Sequence, residues 1–439
     1  MKNLRQVKST HNIQGGENVN LADVIMNGRK VSFEKRLSYF EQFLGRLSGN
    51  QQPLYFRSIL SAADREVQIL THDGRPKKML MFGSNNYLGL ANHPYVREKV
   101  KEAIDKYGVG IGGPPILNGY SKLMFELEER LSHLKDNEST LIFSSGYNAN
   151  VGMVTGLCTP NDIIISDEYS HASFCDGVKM LRGNHYTFRH NQIQELEQLL
   201  KIHHTQVKGN IFVGVEGIYS MEGDLAPLDK IVPLCRAYKA ILLLDDAHAT
   251  GVIGSKGGGA HDHFNLSPDT DIILGTFSKT FAVNGGFISA SEPVIRYLRF
   301  MARSYMFSAS LPPVTLAAVL AGLDVLEKEP QLRQQLQDNV QYVVGKLRKF
   351  GLVSEPDAAI VSLKIPKGKD IRKLAHEFHD AGIFLNAIEY PAVPKDRERF
   401  RISIMANHTK NDLNQLVRTV EEIWHKASKI DDYENCNIC

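Results

Sequence analysis

Gly275-Thr-Phe-Ser-Lys279-Thr-Phe281 follows the apolar run Asp271-Ile-Ile-Leu274, which sets a lysine just past the end of a buried strand. Gly285-Gly286 after it permits close backbone approach. Upstream, Ile241-Leu-Leu-Leu-Asp245-Asp246-Ala247-His248 is a second continuous apolar run, ending in an acid. Such runs mark strands buried on both faces, as in a helix-covered parallel sheet, and these sheets gather their chemistry at the carboxyl ends of the strands. A surface Ser-Lys pair and a helix-capping aspartate would explain each feature singly. Together they suit pyridoxal phosphate (PLP). Lys279 can hold its aldehyde as a Schiff base, Thr276 and Ser278 offer hydroxyls to its phosphate, and Asp245 can keep its pyridine nitrogen protonated.

The same alternation extends outward from these two strands. Runs at 140–144, 162–166, 185–189, 210–215, 240–244, 271–275 and 286–290, with helical stretches mostly between them, predict a seven-stranded, mostly parallel α/β sheet. The expected organisation is a mobile arm over 1–30, an N-terminal segment over 31–90 and a large domain over 91–310. A small C-terminal α+β domain over 311–430, with strands at 360–365, 384–387 and 400–404, precedes a tail over 431–439. Phe33, Leu37, Phe40, Phe43, Leu44 and Leu47 recur at helical spacing, so an amphipathic helix is expected there.

Across the 439 residues, 51 basic and 49 acidic side chains nearly cancel, which removes any electrostatic case for nucleic acid or an anionic membrane. Apolar runs reach only strand length, so no transmembrane segment is expected, and the N-terminus lacks the apolar core of a signal peptide. Five cysteines (158, 175, 235, 436 and 439) are too scattered for a disulfide framework, and a cytoplasmic setting is expected. Cys436-Asn-Ile-Cys439 has no second pair to complete a zinc site and a poor aliphatic position for prenylation; it reads as a disordered polar tail after Trp424. No metal site is expected.

Further strand ends carry chemistry. Ser144-Ser-Gly146-Tyr147-Asn-Ala-Asn150 could open a helix whose amides hold a phosphate, Asp167-Glu-Tyr-Ser-His171 supplies an imidazole, and Glu216-Gly-Ile-Tyr-Ser220 supplies a hydroxyl. With Lys279 and Asp245, this set resembles the α-oxoamine synthase family of fold-type I PLP enzymes over roughly residues 50–427. The family joins an amino acid to an acyl thioester, usually acyl-CoA, and releases carbon dioxide. The resemblance implies that Lys279 is the Schiff-base lysine and the base at Cα, and that Asp245 partners the pyridine nitrogen. It also implies that His171 stacks on the ring, with His248 and Ser220 near its phenolic oxygen. Gly146, Tyr147 and Thr276 would hold the phosphate, and Ser308 would reach the phosphate of a neighbouring subunit, so a homodimer is implied. Asn85 and Tyr87 would line the substrate side and Arg401 would bind the substrate carboxylate, while Arg399 is expected to be a solvated neighbour.

Phe82-Gly-Ser-Asn85, Met306-Phe-Ser-Ala-Ser310 and Pro391-Ala-Val-Pro394 are most similar to bacterial serine palmitoyltransferases, which points first to serine and a long-chain acyl-CoA, giving a 3-ketosphinganine-like aminoketone. Pro114-Pro115 and Met124 depart from the family, which usually has Ser-Arg and His there. Glycine C-acetyltransferase, 8-amino-7-oxononanoate synthase and α-hydroxyketone autoinducer synthase activities therefore stand as alternatives, with an acyl carrier protein as a second possible donor. From other classes, an aminotransferase would show no acyl-CoA dependence. A non-catalytic partner subunit would lack Lys279.

Overall fold

The computed structural model describes residues 21–48, 54–266, 271–390 and 392–436. In chain order its strands begin with β1 (Glu66–Leu70) and β2 (Pro76–Met81). Next come β3 (Ser139–Phe143), β4 (Ile163–Asp167), β5 (Asn184–Phe188), β6 (Ile211–Glu216), β7 (Ile241–Asp245), β8 (Ile272–Thr276) and β9 (Gly286–Ala290). The last four are β10 (Ile360–Lys364), β11 (Ile383–Phe384), β12 (Asn386–Ile388) and β13 (Arg399–Ser403).

Strands β3 to β9 form one seven-stranded sheet in the order β3-β9-β8-β7-β6-β4-β5. Only β9 runs antiparallel to its neighbours, β3 and β8. Helices such as Gly146–Leu157, Ala172–Leu181 and Leu228–Ala237 connect successive strands and cover both faces. That double cover explains the uninterrupted apolar strands: Leu242 and Leu244 point into one buried cluster, while Leu243 between them points into the other. Parallel pairing aligns Glu216 with Asp245 and Asp245 with Leu274, so the chemistry gathers at one edge.

Two three-stranded sheets flank this one. Strands β10, β13 and β12 pair antiparallel, and β2 pairs with β1 on one side and β11 on the other. The single strand expected at 384–387 is divided here. Its first part joins β2 and its second joins β13, with buried Leu385 between them. The segment read as an arm contains a helix, Leu21–Gly28, whose Val24 packs on Phe43 of the helix Phe33–Ser48; residues 1–20 lie outside the described ones. Where a disordered tail was expected, the helix Lys410–Cys436 runs on past Trp424, since nothing from 410 to 436 is Gly or Pro. Cys439 lies outside the described residues. Among those residues no helix is long and apolar enough to cross a membrane.

His408 pins two of these sheets together. Its Nδ1 accepts from the Met405 N–H at 3.0 Å and its Nε2–H donates to the Met81 carbonyl at 3.1 Å, which holds the buried ring neutral. Burial is the main cause that pushes its pKa from 6.5 down to about 4. The folded value lies below the unfolded one, so unfolded chains bind a proton that the native protein refuses. Stability therefore falls as pH drops from 6.5 toward 4. Urea titrations across that window should show the wild type losing about 1.4 kcal/mol per pH unit more than His408→Gln. Parallel slopes would refute the assignment.

Candidate active site

A cavity of about 250 Å³ opens at the carboxyl edge of the large sheet, and Gly146, Tyr147, His171, Asp245, His248, Thr276 and Lys279 all line it. Seven of the residues expected from the sequence thus converge. Asp245 is held from two sides: Asn150 Nδ2 donates to it at 2.7 Å and the Ala247 N–H at 3.1 Å. Asn150 also donates to Ser173 Oγ at 2.9 Å, and Ser173 Oγ meets His171 Nδ1 at 2.7 Å. A hydrogen-bond relay therefore links His171 to Asp245.

Glu216, which also lines the cavity, lies beside Asp245 in the strand register. Burial, then the charge of Asp245, raises its pKa well above the ordinary carboxylate value, and its Oε1 has no hydrogen-bond partner among the described residues. The Lys279 amine is shifted the other way. Burial and then the Arg401 guanidinium lower its pKa, against the upward pull of Asp245 and Glu216. His248 is pushed well below its ordinary range, first by burial, then by Lys279, Arg401 and His171.

At the other end, Gly146 opens a helix capped by Ser145 Oγ, which accepts from the Asn148 N–H at 3.1 Å. A Cβ on Gly146 would come within 2.9 Å of Thr276, so only glycine lets the helix start approach β8 this closely. Thr276 Oγ1 donates to the Gly285 carbonyl at 2.9 Å and lies 3.0 Å from Ser278 Oγ. Helix amides and hydroxyls of this kind suit an anion.

The expected substrate-side residues form a chain behind His248. Its Nδ1 lies 2.7 Å from the Tyr87 hydroxyl, which lies 3.1 Å from Asn85 Oδ1. That oxygen accepts from Arg401 Nη1 at 3.0 Å, and Arg401 Nε donates to the Ser220 carbonyl at 2.6 Å. Ser220 thus meets the site here through its backbone. Ser308 is not brought to this cavity; it lines a separate small crevice with Pro115 and buried Met124. Sequence reasoning missed Glu216 as a wall of the site and Asn150 as the support of Asp245, although both stand in stretches it singled out.

Arg399 corrects the sequence reading. It is 1% exposed, not solvated, and its Nη1 donates to Glu222 Oε1 at 2.8 Å. Residues two apart on a strand share a face, so Arg399 and Arg401 both meet the segment from Gly217 to Ala226.

The model of the aminotransferase class I and II family matches residues 77–420. A serine palmitoyltransferase of Bacteriovorax stolpii is 35% identical over 97% of this chain and 99% of its own length. An 8-amino-7-oxononanoate synthase of Lysinibacillus sphaericus is 39% identical over 79% of this chain and 89% of its own length. Among solved structures, serine palmitoyltransferase from S. paucimobilis, with a PLP–myriocin aldimine bound, superposes with a TM-score of 0.84 at 27% identity. That match covers 91% of this chain and 100% of the other.

The cavity fits PLP by its own features: a lysine opposite a fixed aspartate, an unpartnered buried carboxyl oxygen, and a helix start that a single Cβ would block. Fold and site define a fold-type I, PLP-dependent transferase. The chain belongs to the aminotransferase class I and II family and, within it, to the α-oxoamine synthases, which are C-acyltransferases.

Replacing Arg399 with Met should strand the Glu222 carboxyl in the interior and lower unfolding free energy by about 3–5 kcal/mol. Adding Glu222→Gln should recover part of that loss in the same urea titration. A double variant no more stable than the single would show that the pair is not the cause.

Proposed function

We propose that the enzyme condenses serine with a long-chain acyl-CoA and releases carbon dioxide and CoA, giving a 3-ketosphinganine-like aminoketone. The observation that carries this choice is coverage: the serine palmitoyltransferase relative matches nearly all of the chain, including the segments around Asn85, Ser308 and Arg401. The 8-amino-7-oxononanoate synthase relative, at slightly higher identity, supports a second reading with a different amino acid and acyl donor.

PLP, when bound, supplies an aldehyde carbon that condenses with an amine and a pyridinium ring that takes up the electron pair left at Cα. In this reading Asp245, fixed by Asn150, holds the proton on the ring nitrogen. Burial raises the Glu216 pKa, which disfavours a second charge beside it. The amides of Gly146 and Tyr147 and the hydroxyl of Thr276 would hold the phosphate, His171 and His248 would stand beside the ring, and Ser220 would support Arg401 through its carbonyl. Arg401 holds the carboxylate of the amino acid, supported by Asn85 and Tyr87. Lys279, its amine made less basic by burial, takes the proton from Cα and returns one after carbon dioxide leaves. A proton-accepting lysine works best with a pKa close to the working pH, and the downward shift has that sense.

The reading includes a homodimer in which Ser308 completes the phosphate site of a neighbouring copy. A monomer that keeps full activity in sedimentation and dilution assays would overturn it. It also includes a cytoplasmic setting, supported by unpaired Cys158, Cys175 and Cys235 and checked by cell fractionation.

A panel of amino acids and acyl thioesters, read by thiol release and product mass, tests the substrate choice. Serine with palmitoyl-CoA should turn over fastest, and Lys279→Ala should abolish turnover and the absorbance band of the lysine Schiff base while leaving the chain folded. Activity confined to glycine with acetyl-CoA, or to shorter donors with other amino acids, would move the assignment to another branch of the family.

A further inference from the structure

His190 sits between two carboxylates that belong to different parts of the chain. Its Nδ1 lies 3.2 Å from both oxygens of Asp167, the last residue of β4, and its Nε2 lies 3.0 Å from Asp224 Oδ2. The Tyr169 ring stacks on it at 4.7 Å and the Tyr219 ring meets it edge-on at 4.4 Å. Burial alone would push the imidazole pKa down, yet the hydrogen bonds of Asp167 and Asp224 outweigh it and lift the value to about 10. The ring therefore donates from both nitrogens. Glu168 accepts from the His190 backbone N–H at 3.0 Å, and Asn191 donates to the Leu225 carbonyl at 3.1 Å.

Asp224 lies in the segment 217–226 that leaves β6. The Tyr219 N–H bonds the Asp224 carbonyl at 3.0 Å and the Gly223 N–H bonds the Tyr219 carbonyl at 2.8 Å, so the segment folds into a tight turn. That turn presents the Ser220 carbonyl to Arg401 and the Glu222 carboxyl to Arg399. It also borders a cleft of about 1080 Å³ lined by His190, Glu222, Asp224 and Arg399. The cleft leaves room for the segment to shift. Without a cation between them, Asp167 and Asp224 would repel, which strains the segment that carries Asp224.

We propose that His190 is a positioning residue for the amino-acid substrate: its two-sided clasp on Asp167 and Asp224 fixes the segment 217–226 and, through the Ser220 carbonyl, the guanidinium of Arg401. This rests on Arg401 as the holder of the substrate carboxylate. A planar guanidinium grips a carboxylate only in a narrow range of orientations, so a displaced Ser220 carbonyl weakens amino-acid binding while the acyl donor is untouched.

The test uses the PLP-loaded enzyme and serine, or the amino acid that the panel selects, with affinity read from the change in cofactor absorbance. His190→Gln should weaken that affinity roughly tenfold or more and leave the acyl-donor KM within about twofold. Adding Asp224→Asn, which removes the repulsion, should recover part of the loss. Unaltered amino-acid affinity, or an equal loss for both substrates, overturns the clasp. If His190→Gln fails to fold, Asp224→Asn alone should shift amino-acid affinity in the same direction, and no shift there overturns the proposal. Arg401→Ala in the same titration separates two failures. Normal affinity in that variant removes the carboxylate reading itself, whereas weak affinity there beside a normal His190→Gln removes only the clasp.

Discussion

Two parallel strands end side by side on carboxyl groups, Glu216 and Asp245, at a depth where water screens neither. Two charges side by side at that depth would be costly, and the two groups differ in their hydrogen bonds. Asp245 receives Asn150 and the Ala247 amide; Glu216 keeps an unpartnered oxygen and takes the raised pKa. The cavity is left with one carboxyl group, that of Asp245, held in a fixed place. Lys279 feels that group from the next strand over, while burial and Arg401 pull its pKa down.

The next residue along shows how differently one sheet end can use two adjacent acids. Asp246 points into the core, where Lys135 Nζ reaches it at 2.6 Å and also donates to Thr250 Oγ1 and the Gly258 carbonyl. All of that cation's hydrogen-bonding capacity is taken up in the interior, which makes the pair a brace for the loop after β7. Asp245 faces the cavity and His248 reaches Tyr87, so a four-residue stretch couples the core, the cavity and the chain behind His248.

Much of this was legible because parallel strands buried on both faces have no choice of register or polarity. A continuous apolar run such as Ile241–Leu244 fixes where the strand ends, and the residue after it must stand at the chemical edge. Lys279, Asp245 and Thr276 were read this way, while His171, Gly146, Tyr147 and His248 were expected from the family resemblance; all seven line one cavity. What stayed hidden depends on partners far along the chain. Arg399 reads as solvated until Glu222 is known to face it, and His190 looks ordinary until Asp167 and Asp224 close on it. The divided strand around Leu385 was invisible for the same reason, since two different sheets compete for one short stretch.

The two halves of the site differ in how much chain must be brought together to make them. Asn150 and Asp245 are 95 residues apart, whereas Arg401 reaches Asn85 across 316. Contacts that close long loops form late in folding, after the helix-linked strands have condensed around local pairings. The Asn150–Asp245 contact therefore closes a much shorter loop than the Asn85–Arg401 contact. A chain cut before residue 400 would contain both Asn150 and Asp245 but not Arg401, so the two ends of the site draw on separate lengths of sequence.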